Sequence, residues 1–158
     1  FIPPKKGRKH ILYIIRELLD FKPESKRTNL QGAIEYLTNV LKKRCTAFVL
    51  SDFIDDSDFK NALTVANRKH DVIAMQVYDR RMEELPDVGL MRVRDAETGH
   101  EQWIDTSSKA LRNAHHAWWM ERQEKLNDIF TRSNVDSVSV RTDQDYVKAL
   151  MNLFAKRN

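Results

Sequence analysis

The chain has 158 residues, of which 41% are hydrophobic and 32% are charged, and its formal net charge is +4. These values are ordinary for a soluble globular protein, and the length predicts one domain that can bury a sizeable core. The single cysteine, Cys45, excludes an internal disulfide and fits a reducing compartment. Because the sequence shows neither a membrane-spanning apolar run nor a signal-peptide pattern, we expect a cytoplasmic protein without a membrane segment.

The positive charge is concentrated at the amino end of the chain. Residues 1–44 contain 11 lysines and arginines against 4 aspartates and glutamates. Such a region can meet phosphate groups or an acidic partner. Aromatic residues are not interleaved with these charges, however, so a solvated basic surface is the simpler interpretation.

Two amphipathic helices are predicted before the first strand. In Lys9–Phe21 the apolar residues recur on one helical face, and Pro23 ends the helix. A second periodic set runs from Leu30 to Leu41. Thr28 stands at its amino end, where a side-chain oxygen can accept a free backbone N–H. Capping is the simplest role for Thr28, and it does not exclude a second role for the hydroxyl.

The stretch Cys45–Asp56 contains the first predicted strand. Ala47–Ser51 is an uncharged, mostly apolar run without alternation that stops at Asp52. A run of this kind is typical of a strand that is buried on both faces in a helix-covered parallel sheet. Ligands collect at the carboxyl ends of such strands, so Asp52 is a candidate for chemistry or metal binding. The alternative is an aspartate that caps the next turn or helix.

The next segments predict a βαβ unit followed by a hairpin. Asp58–Lys69 has the pattern of a helix, and Asp71–Tyr78 that of a second buried strand. Strand, helix and strand within about thirty residues favour a parallel pair with a right-handed crossover. Leu90–Asp95 and His100–Asp105 flank turn residues and predict a β-hairpin. In the predicted helix Asp58–Lys69, the residues expected to face inward are Phe59, Ala62, Leu63 and Ala66.

The last part of the chain predicts helix, strand and helix. Ser107 or Ser108 can cap a long helix that runs to about Thr131, and Val138–Arg141 predicts the last strand. Thr142–Asp145 begins the final helix with a spacing similar to a capping box. The residues predicted to face inward are Leu111, Ala114, Trp118, Leu126, Ile129 and Phe130 in the long helix, and Tyr146, Val147, Leu150, Leu153 and Phe154 in the final one.

The order of these elements predicts a Rossmann-like α/β fold with three parallel strands and a hairpin. The first two helices, however, have no strand between them and no convincing strand before them. The chain opens with Phe1-Ile2-Pro3-Pro4, which has no Met and is typical of an extended segment that leaves a sheet. We therefore expect residues 1–158 to form a single partial domain, truncated at its amino end, of a longer protein.

Oxygen ligands are the strongest candidates for a functional site. The four glycines form neither a dinucleotide fingerprint nor a P-loop, and the five histidines form no zinc pattern. Thr28, Asp52, Asp55 and Asp56 would converge if the loop before the second helix lies beside the end of the first strand. A hydroxyl and carboxylates suit a hard divalent cation such as magnesium.

Two other functions are compatible with the residues. Asp52, Asp55 and Asp56 form an acidic cluster of the kind that a metal-dependent phosphoesterase or nuclease uses in a two-metal site. The basic clusters Lys5–Lys9 and Lys42–Arg44 would suit a nucleic-acid-binding module.

Several segments in combination resemble domain-of-unknown-function family 58. The segments are Thr28-Asn29-Leu30-x-x-Ala33-Ile34-x-x-Leu37, Phe48-Val49-Leu50-Ser51-Asp52-Phe53, Asp105-Thr106, Val135-Asp136 and Phe154-Ala155-Lys156-Arg157. The resemblance extends over essentially the whole chain. It implies a bacterial, three-layer von Willebrand factor A-like domain. It also implies a non-enzymatic adaptor role with a MoxR-type AAA+ ATPase in assembly, chaperone-like or metal-insertion systems.

The resemblance further implies a metal-ion-dependent adhesion site. Domains of the von Willebrand A type bind a metal through an Asp-x-Ser-x-Ser loop, a Thr in a second loop and an Asp after a buried strand. Thr28 matches the second loop and Asp52 the third, whereas Asp55 and Asp56 have no assured place. The first loop and the central strand before it would lie upstream of Phe1. We therefore expect magnesium in the full-length domain and no bound divalent metal in this chain.

A missing central strand would leave one edge of the Ala47–Ser51 strand open. Open edges invite pairing with another chain, so we expect self-association through this edge. In the full-length protein, a carboxylate from a protein partner would complete the metal coordination. An interaction domain is thus the preferred function over the nuclease and nucleic-acid alternatives, and nucleic acid is not an expected partner.

Overall fold

The computed structural model describes residues 1–23, 27–55, 57–95 and 98–157. Asp56, a member of the predicted acidic cluster, lies outside these residues. The helices along the chain are α1 (Arg8–Asp20), α2 (Leu30–Val40), α3 (Lys60–Lys69), α4 (Arg80–Glu83), α5 (Lys109–Arg132) and α6 (Tyr146–Arg157). The strands are β1 (Thr46–Ser51), β2 (Asp71–Tyr78), β3 (Leu90–Arg94), β4 (Glu101–Asp105) and β5 (Asp136–Arg141).

In the described chain, β1, β2 and β5 form a parallel sheet in that order. Ser51 is in register with Gln76, and Tyr78 with Arg141. The predicted parallel pairing of the first two strands is therefore confirmed, and so is the antiparallel β3–β4 hairpin. Because the strands run parallel, their carboxyl ends all lie at the same end of the sheet. Asp52 follows β1 at this end.

The main core contains residues of the sheet and of helices α2, α3 and α5. Its members are Leu30, Ile34, Ala47, Phe53, Phe59, Ala62, Leu63, Ala66, Val72, Ala74, Leu126, Phe130 and Val135. The predicted inward residues of α3 all belong to it, because their spacing places them on one helical face. Burial of each large side chain contributes roughly 1.5–3 kcal/mol. Phe53, in the turn that follows β1, is a member of this core.

The inward faces of α5 and α6 differ from the predictions. Trp119 is 2% exposed and its ring centroid lies 5.1 Å from that of Tyr78, whereas Trp118 is 45% exposed. Consecutive helical residues point about 100° apart, so the prediction chose the wrong tryptophan. In α6 Leu153 is buried, but Tyr146 and Val147 are largely exposed because the helix packs mainly against β5.

Two apolar surfaces in the first third of the chain remain open. No described strand pairs with the second edge of β1, which is the open edge that the sequence predicted, and Leu50 on this strand is largely exposed. α1 forms as predicted, yet none of its residues is buried, and Leu18 and Leu19 are 73% and 81% exposed. None of the described helices combines the length and the apolar character needed to cross a membrane.

Candidate functional site

The candidate site lies at the carboxyl end of β1, where the strand passes into a tight turn. Asp52 is exposed, and its Oδ1 accepts hydrogen bonds from the Ile54 N–H at 3.1 Å and the Ser51 hydroxyl at 3.4 Å. The first bond forms an Asx turn, so the turn-forming role that the sequence left open is present. Within the described residues, Oδ2 accepts no hydrogen bond and is available to a ligand.

Phe53 determines the backbone conformation of this turn. Its φ is 56°, in the left-handed region, which costs a non-glycine residue roughly 1–2 kcal/mol. Its side chain is 3% exposed, and its ring centroid lies 5.1 Å from that of Phe130 in an edge-to-face arrangement. Burial of the ring contributes roughly 1.5–3 kcal/mol and offsets the backbone strain. Asp52 therefore precedes a strained residue that the core holds in place.

Two side chains from distant segments also hold the turn. Arg122 in α5 donates from Nη2 to the Phe53 carbonyl oxygen at 3.2 Å. Gln76 in β2 donates from Nε2 to the Asp52 carbonyl oxygen at 3.4 Å, and its Oε1 accepts from the Ser139 hydroxyl at 2.8 Å. The turn is thus connected by side chains to α5, β2 and β5.

The sequence interpretation did not find either of these two residues. Gln76 is 1% exposed and stands alone as a polar residue among the apolar positions 72–77, which is a signal that could have been used. A buried side-chain amide must find hydrogen-bond partners, so it marks a polar contact in the core. Arg122 is one of many charged residues in α5 and carries no comparable signal.

Asp55 connects the same turn to the amino end of α2. Its Oδ2 accepts the Leu30 N–H at 2.6 Å, and its Oδ1 accepts the Ser57 N–H at 2.8 Å. Partial burial raises the pKa of Asp55, but the two N–H donors and the charge of Arg122 outweigh this effect and lower its pKa overall. Asp55 is therefore charged at neutral pH, and both of its oxygens accept hydrogen bonds.

The contact between Asp55 and Leu30 also places Thr28, which is exposed and lies two residues before Leu30. The loop before α2 therefore lies beside the loop that follows β1, which is the arrangement that the magnesium hypothesis required. The N-cap of α2 is Asn29, whose Oδ1 accepts the Gly32 N–H at 2.7 Å. The expectation that Thr28 caps this helix is wrong.

The chemistry of the two predicted ligands suits a hard cation. Thr28 and Asp52 supply a hydroxyl and a carboxylate, which are oxygen ligands that magnesium accepts. Backbone N–H groups engage both oxygens of Asp55. The described residues contain no group of three or more His, Cys, Asp or Glu side chains that could hold a metal ion. A cation bound beside Asp52 would thus need further ligands from water, a partner or another part of the protein.

Comparison with known proteins identifies the family. Residues 1–125 match the family described as "Protein of unknown function DUF58". The chain belongs to the DUF58 family. The predicted membership of this family is therefore confirmed, on a match to residues 1–125.

Relatives of this DUF58 chain occur in mycobacteria. "Uncharacterized protein Rv1480" of Mycobacterium tuberculosis is 29% identical over 160 residues, which cover 99% of the DUF58 chain and 50% of that protein. "Uncharacterized protein MAV169" of Mycobacterium avium is 25% identical over 158 residues, which cover 99% of the DUF58 chain and 93% of that protein. The chain therefore spans about half the length of the Mycobacterium tuberculosis relative.

A solved structure with a related fold is the conserved hypothetical protein BatB from Bacteroides thetaiotaomicron. Its TM-score with the DUF58 chain is 0.50 at 15% sequence identity, and the match covers 92% of the DUF58 chain and 68% of BatB. At this identity the similarity concerns the fold alone. It is in line with a mixed α/β architecture built around a parallel sheet.

Proposed function

We propose that the DUF58 chain is a non-enzymatic protein-interaction domain of the von Willebrand A type. In this proposal it acts in the cytoplasm as an adaptor for a MoxR-type AAA+ ATPase in assembly or chaperone-like processes. Its interaction centre is a magnesium site to which Thr28 and Asp52 contribute. The ATPase partnership derives from the family resemblance, whereas the contacts around β1 support the metal centre.

The observation that carries the metal centre is the hydrogen bond from the Leu30 N–H to Asp55. These residues are 25 positions apart in sequence, and their contact brings the loop of Thr28 to the turn of Asp52. The side chains of Thr28 and Asp52 are both exposed. Magnesium has six ligands, so an exposed pair of protein oxygens leaves positions for a carboxylate of a partner protein.

Magnesium titration of the full-length protein by calorimetry tests this centre. Changes in residues that merely orient metal ligands typically weaken affinity 10–100-fold, so we expect Thr28→Ala and Asp52→Ala each to raise the Kd at least about tenfold. Asp58→Ala is the matched control, because Asp58 is an exposed aspartate of the same loop whose Oδ1 accepts the Lys60 N–H at 3.3 Å. Absence of magnesium binding, or a Kd unchanged in both ligand variants, would remove the metal centre.

We also propose that the chain self-associates through the open edge of β1. The edge carries unpaired backbone groups within the described sheet, and the side chains of Phe48 and Leu50 on this strand are 44% and 63% exposed. Unprotected edges of this kind pair with other strands, and charged side chains suppress the pairing. We therefore expect Leu50→Lys to lower the dimer fraction measured by light scattering.

The control for this experiment is Leu90→Lys. Leu90 is 67% exposed on β3, away from the open edge, so the charge should leave the dimer fraction unchanged. A monomeric mass for the unsubstituted chain would exclude self-association.

The hydrolase alternative has weaker support. A two-metal site needs several carboxylates with oxygens free to bind the metals, whereas both oxygens of Asp55 accept backbone N–H groups. A nuclease assay of the full-length protein with manganese distinguishes the interaction domain from the hydrolase. Nuclease activity that disappears in Asp52→Asn would favour the hydrolase. Binding of nucleic acid with a steep salt dependence would instead favour the basic-cluster alternative.

A further inference from the structure

Asp55 bridges two segments that the candidate metal site needs in a fixed arrangement. One oxygen accepts the Leu30 N–H at 2.6 Å and the other accepts the Ser57 N–H at 2.8 Å. Hydrogen bonds to an ionised carboxylate are about twice as strong as neutral ones, so this bridge is a firm contact. It joins the loop after β1 to the first residue of α2.

On the α2 side, the bridge satisfies a backbone group that the helix itself leaves open. The first N–H groups of a helix have no intrahelical partner, and Asn29 supplies one for Gly32. Asp55 supplies the partner for Leu30 from outside the helix, and its charge suits the positive end of the helix dipole. Thr28 is two residues from Leu30, so their Cα atoms are at most about 7 Å apart.

On the β1 side, Asp55 follows a turn with little freedom. Asp52 begins that turn, and its carbonyl oxygen accepts from buried Gln76. Phe53 is anchored in the core, and its carbonyl oxygen accepts from Arg122. The backbone that leads to Asp55 is thus held by contacts to β2, α5 and the core.

We propose that Asp55 is a positioning residue, whose carboxylate sets the separation of Thr28 and Asp52 without binding the metal. This inference rests on the proposed function, because it concerns the geometry of the same magnesium site. It assigns to Asp55 a different role from the one considered at the sequence level, where this carboxylate was a candidate ligand. To act as a ligand, Asp55 would have to release the N–H of Leu30 or of Ser57.

Hydrogen exchange at the Leu30 amide distinguishes positioning from ligation. In the full-length protein, we expect this amide to keep or increase its protection when magnesium is added to saturation. Loss of protection on adding magnesium would show that Asp55 leaves Leu30 for the metal, and it would overturn the inference. The measurement needs no substitution, so it stands even where a variant fails to fold.

Magnesium affinities of variants complete the test. We expect Asp55→Ala to raise the Kd at least about tenfold, and Asp55→Asn, which keeps one acceptor oxygen, to raise it less. Asp58→Ala again serves as the control, and circular dichroism establishes that each variant is folded. A Kd unchanged in folded Asp55→Ala, while Asp52→Ala and Thr28→Ala weaken binding, overturns this inference alone. Absence of magnesium binding by the unsubstituted protein overturns the proposed function and this inference with it.

Discussion

Replacing Phe53 by alanine and by glycine tests whether core packing holds the Asp52 turn in a strained conformation. Phe53 is 3% exposed with a φ of 56°. Truncation to alanine leaves a cavity beside Phe59 and Phe130, and changes of this type cost about 3–5 kcal/mol. Glycine loses the same side chain but removes the left-handed strain of about 1–2 kcal/mol.

The gain from strain relief is reduced by the backbone entropy of glycine, about 0.5–1 kcal/mol. We therefore expect Phe53→Gly to be as stable as Phe53→Ala or more stable by up to about 1.5 kcal/mol, from these two terms. Phe130 is the control, because it is equally buried in the same cluster but lies inside α5. There glycine should be less stable than alanine by about 1 kcal/mol.

Urea unfolding followed by tryptophan fluorescence measures all four variants, and their midpoints compare stability without long extrapolation. The opposite order of glycine and alanine at the two positions is the expected result. If glycine is the less stable substitution at both positions by a similar amount, then the turn is not strained at Phe53 and the reasoning fails.

Two further predictions concern the neighbours of this turn. Because folding lowers the pKa of Asp55, its contribution to stability is present above the unfolded value of about 3.8 and is lost as the pH falls through the folded value. Asp55→Asn should therefore be less stable than the unsubstituted chain at pH 7, and urea titrations should show this difference narrowing below about pH 3.8; a constant difference would contradict the assignment. Gln76→Leu removes the hydrogen bonds to Asp52 and Ser139, and the expected loss is about 1 kcal/mol because both partners are exposed and can bind water. Hydrogen exchange at the Ile54 amide should become faster in this variant, and unchanged exchange would show that Gln76 does not hold the turn.

Much of the fold was predictable because its patterns are local. Ala47–Ser51 and Asp71–Tyr78 are apolar runs of strand length, and the intervening helix places four small or apolar residues on one face. These three segments alone indicate a parallel βαβ unit, which the structure contains. The Ser108 N-cap was predictable for a similar reason, because its hydroxyl oxygen accepts a hydrogen bond from the Leu111 N–H within the same turn.

The orientation of α5 was not predictable from the same reasoning. Its apolar and polar residues are spread around the helix, so no single face is marked as the inner one. Trp118 and Trp119 are chemically equal candidates for burial. The choice of Trp119 depends on Tyr78 at the end of β2, which becomes its neighbour only when the sheet and α5 pack together.

Some residues of the candidate site could likewise be predicted from local patterns, and others could not. Thr28 and Asp52 were predicted as ligands from their places before a helix and after a strand, together with the family resemblance, and they stay a prediction. The role of Asp55 could not be found, because nothing near it in sequence indicates that its carboxylate accepts the N–H of Leu30. Arg122 was missed as well, since a charged residue on a surface helix gives no sign that it reaches a carbonyl oxygen 69 positions away.

By itself, the sequence determined the order of helices and strands, the parallel pairing after β1 and the acidic residue at the end of that strand. Hydrophobic periodicity and turn chemistry act over a few residues, so they can be read without knowing the fold. Only the tertiary structure decided that the turn after Asp52 is strained, that Gln76 and Arg122 hold it, and that Asp55 joins it to α2. Each of these depends on a hydrogen bond or a ring contact between segments far apart in sequence, and such contacts arise only when the sheet and its helices pack.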